Sequence, residues 1–196
     1  MSTKSDQTKE KILNAALHEF SVHGLAGTRV DEIARAAGVN KAMIYYHFAG
    51  KEALFNELFQ AEMELLKQEI ASVLQERDTT SAADMTLAVK ELLSYVTSKK
   101  ELLKILVSET IRQDASLPHL FQLLDVSTAV GIEAAQKAGR NLPDEEEPLF
   151  HELFSGLLPL IHYVLLRDHL KEYYSWEEKT MDDRFAAYWL RHHGGY

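Results

Sequence analysis

Cysteine is absent from the 196 residues, which excludes a disulfide framework and a thiolate metal site and agrees with a reducing cytosol. Nine histidines remain as possible ligands, yet no HExxH, Gly-rich phosphate loop or nucleophile elbow accompanies them. His192 and His193 adjoin each other only in the terminal tail, so no catalysis, metal or cofactor is expected. Strand signals are nearly missing as well, because β-branched residues are scattered and no alternating run of useful length occurs. The best apolar run, from Leu157 to Leu166, is interrupted by Pro159 and His162 and falls well short of the roughly 20 residues that span a bilayer. The N-terminus from Met1 to Phe20 is too charged for a secretory signal. Neither an internal repeat nor a low-complexity tract is found. These absences predict a cytoplasmic protein without a membrane partner, and 46% hydrophobic content suffices for a globular core.

What the chain does have is helical spacing. Ile12, Leu13, Ala16, Leu17 and Phe20 share one stripe, and Gly24 supplies a stop. Thr28 is expected to open a second helix, with Asp31 returning a hydrogen bond in a capping box and Ile33, Ala36 and Ala37 forming a slim inner face. Gly38 closes that helix, and Asn40, a good N-cap, starts a third after a turn so short that the two must cross steeply. A long helix follows from Lys51 to about Arg77, with Leu54, Phe55, Leu58, Leu65, Leu66, Ile70 and Leu74 as its stripe. Five more are predicted near 82–97, 99–113, 118–138, 147–173 and 181–192, about nine in all. Ser81 with Asp84 and Thr180 with Asp183 repeat the capping pattern. The clearest loop is Gly139 to Pro148, and Pro159 is expected to bend the helix that contains it.

Charge divides unevenly along this all-α chain. The net charge is −9, but residues 1–55 carry seven Lys or Arg against six Asp or Glu, and the remainder holds 14 against 24. On a helical wheel of the third helix centred on Ile44, Phe48 falls one turn on, while Ala42 and Tyr46 point away from the core. Lys41 and Tyr45 flank one side of that outer face, Met43 and His47 the other. One small residue ringed by long donors suits a DNA major groove: Lys41 reaches guanine acceptors, and Ala42 or Met43 meets a thymine methyl. The tyrosine hydroxyls, His47, Lys51 and the helix starts near Thr28 and Arg29 suit phosphate oxygens.

The run from Phe20 through Gly24 and Thr28 to Leu54 closely resembles the N-terminal domain of the TetR family of bacterial transcriptional regulators. The likeness rests on Thr28, Ile33-Ala34, Ala37-Gly38-Val39, Tyr45, His47-Phe48 and Lys51 at the family's spacing. Asn40 and Gly50 stand where that family usually has Ser. The resemblance implies a helix-turn-helix DNA-binding domain over residues 1–55 and a helical effector-binding and dimerisation domain over 56–196. It further implies a homodimer formed by the last two long helices, a palindromic double-stranded operator, and a repressor released by a small molecule. Glu109, Arg112, His151, His162 and Tyr163 are polar positions on otherwise apolar helices and are the weak candidates for lining an effector cavity. Their leucine-rich and aromatic surroundings favour an apolar or aromatic compound. The alternative to DNA binding is a helical module that binds another protein.

Overall fold

The computed structural model describes residues 4–75, 77–78, 81–112, 117–137, 139 and 147–193. Among these the chain forms nine helices and no strand. They are α1 (Lys4–Gly27), α2 (Val30–Ala37), α3 (Lys41–His47), α4 (Lys51–Gln75), α5 (Ala82–Ser98), α6 (Lys100–Arg112), α7 (Leu117–Lys137), α8 (Glu147–Tyr174) and α9 (Glu178–His193). The chain divides into two compact units, residues 1–64 with 101–119, and residues 65–100 with 120–196.

In the first unit the core is built from Ile12, Ala16 and Phe20 of α1, Ile33 of α2, Ile44 and Phe48 of the α3 region, and Leu54, Phe55 and Phe59 of α4. Phe20 and Phe55 meet edge to face with ring centroids 5.8 Å apart, a geometry that adds about 1 kcal/mol to the burial of their surfaces. Leu102, Ile105 and Leu106 of α6 are buried in the same unit. The α4 stripe differs from the predicted one: Phe59 and Met63 are buried, whereas Leu65 is exposed. Gly24 does break α1, with φ 71° and ψ 165°, a conformation that favours glycine, and one further turn continues to Gly27.

The second unit packs Ala88, Val89 and Leu93 of α5 with Leu160, Ile161 and Val164 of α8 and Met181 and Ala186 of α9. The expected Ser81 cap forms, its hydroxyl accepting from the Asp84 N–H at 3.3 Å. Thr180 does not cap α9, which starts at Glu178. Its hydroxyl donates instead to Glu177 at 2.8 Å, and Asp183 pairs with Lys90 at 2.6 Å. Residues 140–146 of the predicted loop lie outside the described residues.

By length and composition α8, 28 residues from Glu147 to Tyr174, is able to cross a membrane, which its ten-residue apolar stretch alone did not suggest. Four of its charged groups, Glu152, Arg167, Asp168 and Lys171, are paired inside the second unit. Arg167, 9% exposed, donates to Glu178 at 2.9 Å and Asp182 at 2.6 Å, as a buried guanidinium must be paired to be tolerated. Just before Pro159 the helix widens into a π turn, Glu152–Leu157. Proline lacks a donor and crowds the preceding turn, and the extra residue of a π turn absorbs that irregularity within a continuous helix. The Gly156 carbonyl accepts from Trp189 Nε1 at 2.9 Å.

Candidate nucleic-acid interface

Two helix ends shape the site. At Gly38 the backbone adopts φ 68°, and the Val39 N–H donates to the Ala34 carbonyl at 3.0 Å, closing α2 within one residue. At Asn40 the side-chain oxygen accepts from the Met43 N–H at 2.8 Å, starting α3 at once. The turn has no slack, so α2 and α3 cross as a helix-turn-helix. Ile44 is fully buried and Phe48 nearly so, which sets the rotation of α3. Lys41, Ala42, Tyr45 and Tyr46 are exposed, Tyr46 at 76%, and Met43 and His47 are half-buried. The outer face of α3 is therefore solvent-facing in the free chain.

Asp31 of α2 holds Lys41 with Nζ 3.0 Å from each carboxylate oxygen. This hydrogen bond, helped by the charge attraction, raises the lysine's pKa above its ordinary value. The ammonium is thus positioned at the head of α3 rather than swinging freely. Tyr46 and His47 meet edge to face at 5.0 Å. His47 Nε2 is buried with no hydrogen-bond partner among the described residues, so a phosphate contact through that nitrogen requires the ring to turn. Arg29 stays exposed, and its backbone N–H is held by the Glu32 carboxylate at 2.9 Å.

Two predicted phosphate ligands have other work. Thr28 is buried; its hydroxyl donates to the Gly24 carbonyl at 2.8 Å and its N–H to the same oxygen at 3.2 Å, so it neither faces solvent nor caps α2. Arg29 occupies the N-cap, and Glu32, not Asp31, returns the hydrogen bond. Lys51 donates to the carbonyls of Leu25 at 2.8 Å, Ala26 at 3.0 Å and Thr28 at 3.4 Å. An ammonium has three protons, and all three serve the junction between α1 and α2. Ala36 is exposed, and the inner face of α2 is Ile33 with Ala34. Spacing does not reveal these roles because i,i+3 hydroxyl–carboxylate pairs satisfy more than one capping register.

The weak effector candidates fall in both units. Glu109 is buried in the first unit and accepts from the Leu25 N–H at 3.1 Å. Arg112 ends α6, and its side chain lies outside the described residues. The other three belong to the second unit. Tyr163 donates to Asp182 at 2.6 Å and stacks on Phe185 at 3.9 Å; burial, with the bond to Asp182, pushes its hydroxyl pKa up. His151 stacks on His193 at 5.2 Å and meets its carbonyl at 2.9 Å, while His162 is exposed and turned to the Leu158 carbonyl at 2.7 Å. Sequence reasoning passed over His119, buried between Phe55 and Phe59 with ring centroids at 5.1 and 4.5 Å. Burial holds its pKa below the ordinary value.

Residues 12–58 match the model for bacterial regulatory proteins of the tetR family. Over 93 residues the chain is 34% identical to the HTH-type transcriptional regulator AcrR of Shigella flexneri, an alignment covering 47% of this chain and 41% of that one. In such matches the chain spans about half the length of its curated relatives. The likeness to the HTH-type transcriptional repressor NicS of Pseudomonas putida runs further: 31% identity over 194 residues, 94% of this chain and 83% of that one. The crystal structure of the transcriptional regulator FadR from Bacillus subtilis, in complex with stearoyl-CoA, superposes with a TM-score of 0.66 at 18% identity. It covers 95% of this chain and 99% of FadR, and shows the same fold. A family model seated on the helix-turn-helix, together with an alignment to a repressor along nearly the whole chain, places this protein in the TetR family of bacterial transcriptional regulators.

Proposed function

We propose that the chain is a homodimeric repressor that binds a palindromic operator through α3 and leaves it when a small molecule binds. The observation that carries the reading is the outer face of α3, where Lys41, Ala42, Tyr45 and Tyr46 are exposed opposite the buried Ile44 and Phe48. Residues 1–55 form the reading head, and residues 56–196 supply effector binding and dimerisation. Lys41 and Met43 face base edges with Ala42 allowing close approach, and Arg29, Tyr45, Tyr46 and His47 face phosphates. Thr28 and Lys51 hydrogen-bond within the first unit, which supports a role for them in holding the head together.

Dimerisation through α8 and α9 is supported by their exposed apolar side chains. Phe150 and Phe154, each 59% exposed, stack at 5.9 Å, and Leu166 and Tyr188 are also exposed. Two copies related by a twofold axis place two reading heads on a palindrome. An apolar effector fits the leucine- and phenylalanine-rich helices, and a FadR of this fold is seen with stearoyl-CoA. A compound binding more tightly to the non-reading conformation shifts the population off DNA. Such a protein works in the cytoplasm, where its operator is.

The test selects duplexes from a random pool with the full chain, then screens acyl-CoA thioesters and aromatic compounds for release. A recovered palindrome and a releasing compound are expected. Recovery of no motif would instead favour a module that binds protein.

A further inference from the structure

The α6 stripe Leu102, Ile105, Leu106 continues at Glu109, where an apolar residue would extend the core, yet a carboxylate stands there at 1% exposure. Burying a carboxylate is costly unless hydrogen bonds compensate it, and a leucine there would avoid that cost. Among the described residues the carboxylate accepts from the Leu25 N–H, 3.1 Å away across 84 residues of sequence. That N–H follows directly on the non-helical Gly24. The rest of the segment is gripped by acceptor: Lys51 holds the carbonyls of Leu25 and Ala26, and the Thr28 hydroxyl holds that of Gly24. Residues 24–28 are thus clamped by a cation from the start of α4 and an anion from α6, and they lead straight into α2 and the short turn, residues 38–40, before α3. In sequence α6 lies between α5 and α7, most of whose residues belong to the other unit.

We infer that Glu109 is a positioning residue for operator recognition: its carboxylate, accepting from the Leu25 N–H, fixes the α1–α2 junction and so the presentation of the reading head. The inference rests on the DNA-binding reading and adds a contact that holds the reading head in place. It assigns the buried charge a role that stability alone does not require.

The full chain and its Glu109→Leu and Glu109→Gln variants are compared by unfolding midpoint, by hydrogen exchange at the Leu25 amide, and by affinity for the selected duplex. Glu109→Leu completes the apolar stripe and is expected to stay cooperatively folded, while the Leu25 amide exchanges about tenfold faster and duplex affinity falls about tenfold, the scale of one lost hydrogen bond. Glu109→Gln keeps an acceptor oxygen at the same reach and should retain affinity within about threefold. A merely structural role makes affinity follow the unfolding midpoint. Glu109→Leu with wild-type affinity, unchanged Leu25 protection in that variant, or Glu109→Gln as weak as Glu109→Leu overturns the positioning role. If the wild-type chain selects no duplex, the DNA-binding reading has failed and the positioning role fails with it; Leu25 exchange still reports whether the carboxylate holds the junction.

Discussion

Lys51 shows how one side chain suits more than one task. Its position at the start of α4 suggests a phosphate ligand, but its three protons are spent on carbonyls at the junction between α1 and α2. Lys51→Ala should therefore lower stability by roughly 1–3 kcal/mol, as loss of charge-assisted hydrogen bonds does, and leave the slope of log affinity against log salt unchanged. Lys41→Ala should flatten that slope by about one unit per protomer if the amine meets phosphate as well as base. A salt titration of both variants, with a chemical-denaturation curve for the first, checks the pair. His119 supplies a second residue-level expectation. Its folded pKa is held below the ordinary value of about 6.5, so between the two values the unfolded chain binds the extra proton. Stability then rises with pH through that window and is lost as pH falls below about 6.5. His119→Leu should flatten this part of the stability–pH curve, measured by urea unfolding at a series of pH values.

At the scale of elements, short helices depend on their ends. α3 has only seven residues, so the Asn40 cap is a large share of what holds it: Asn40→Ala should cost about 1 kcal/mol and weaken duplex affinity more than an exposed α1 substitution does. In α8 the π turn brings Gly156 against the ring of His193, where an added Cβ would stand 2.6 Å from Cε1 and 2.8 Å from Glu152 Oε1. Those two side chains pair at 3.1 Å and are themselves largely buried, so neither has room to retreat. Gly156→Ala should cost about 1–3 kcal/mol through overpacking, seen as a lowered thermal midpoint, with a smaller loss when His193→Ala opens the space first.

For the whole molecule the opposed signs matter. Net charge is −9 while residues 1–55 carry a slight cationic excess, so the acidic remainder should oppose non-specific duplex binding and sharpen its salt dependence. Assembly is testable in the same framework: Phe154→Asp, placed on the exposed pair of α8, should shift the chain to monomer in sedimentation and abolish tight binding to the full palindrome. Folding itself should be little affected, because that ring is 59% exposed.

The number and order of helices, the short α2–α3 turn and the outward face of α3 were legible because each follows from local chemistry: a 3.6-residue apolar period, Gly38 in the left-handed region, Asn40 as a cap. What letters near each other cannot encode is which of several local partners wins. Thr28 had a hydroxyl suited to a cap and a phosphate alike, and only packing against α1 turned it inward to Gly24. Lys51 and Glu109 acquire their roles from partners 26 and 84 residues away, and Arg167 from carboxylates on the next helix. Periodicity determined where helices run, since it is set by the backbone of each segment alone. The fold decided what the buried charges do, since a charge takes its partner from whatever donor or acceptor the tertiary structure brings within about 3 Å.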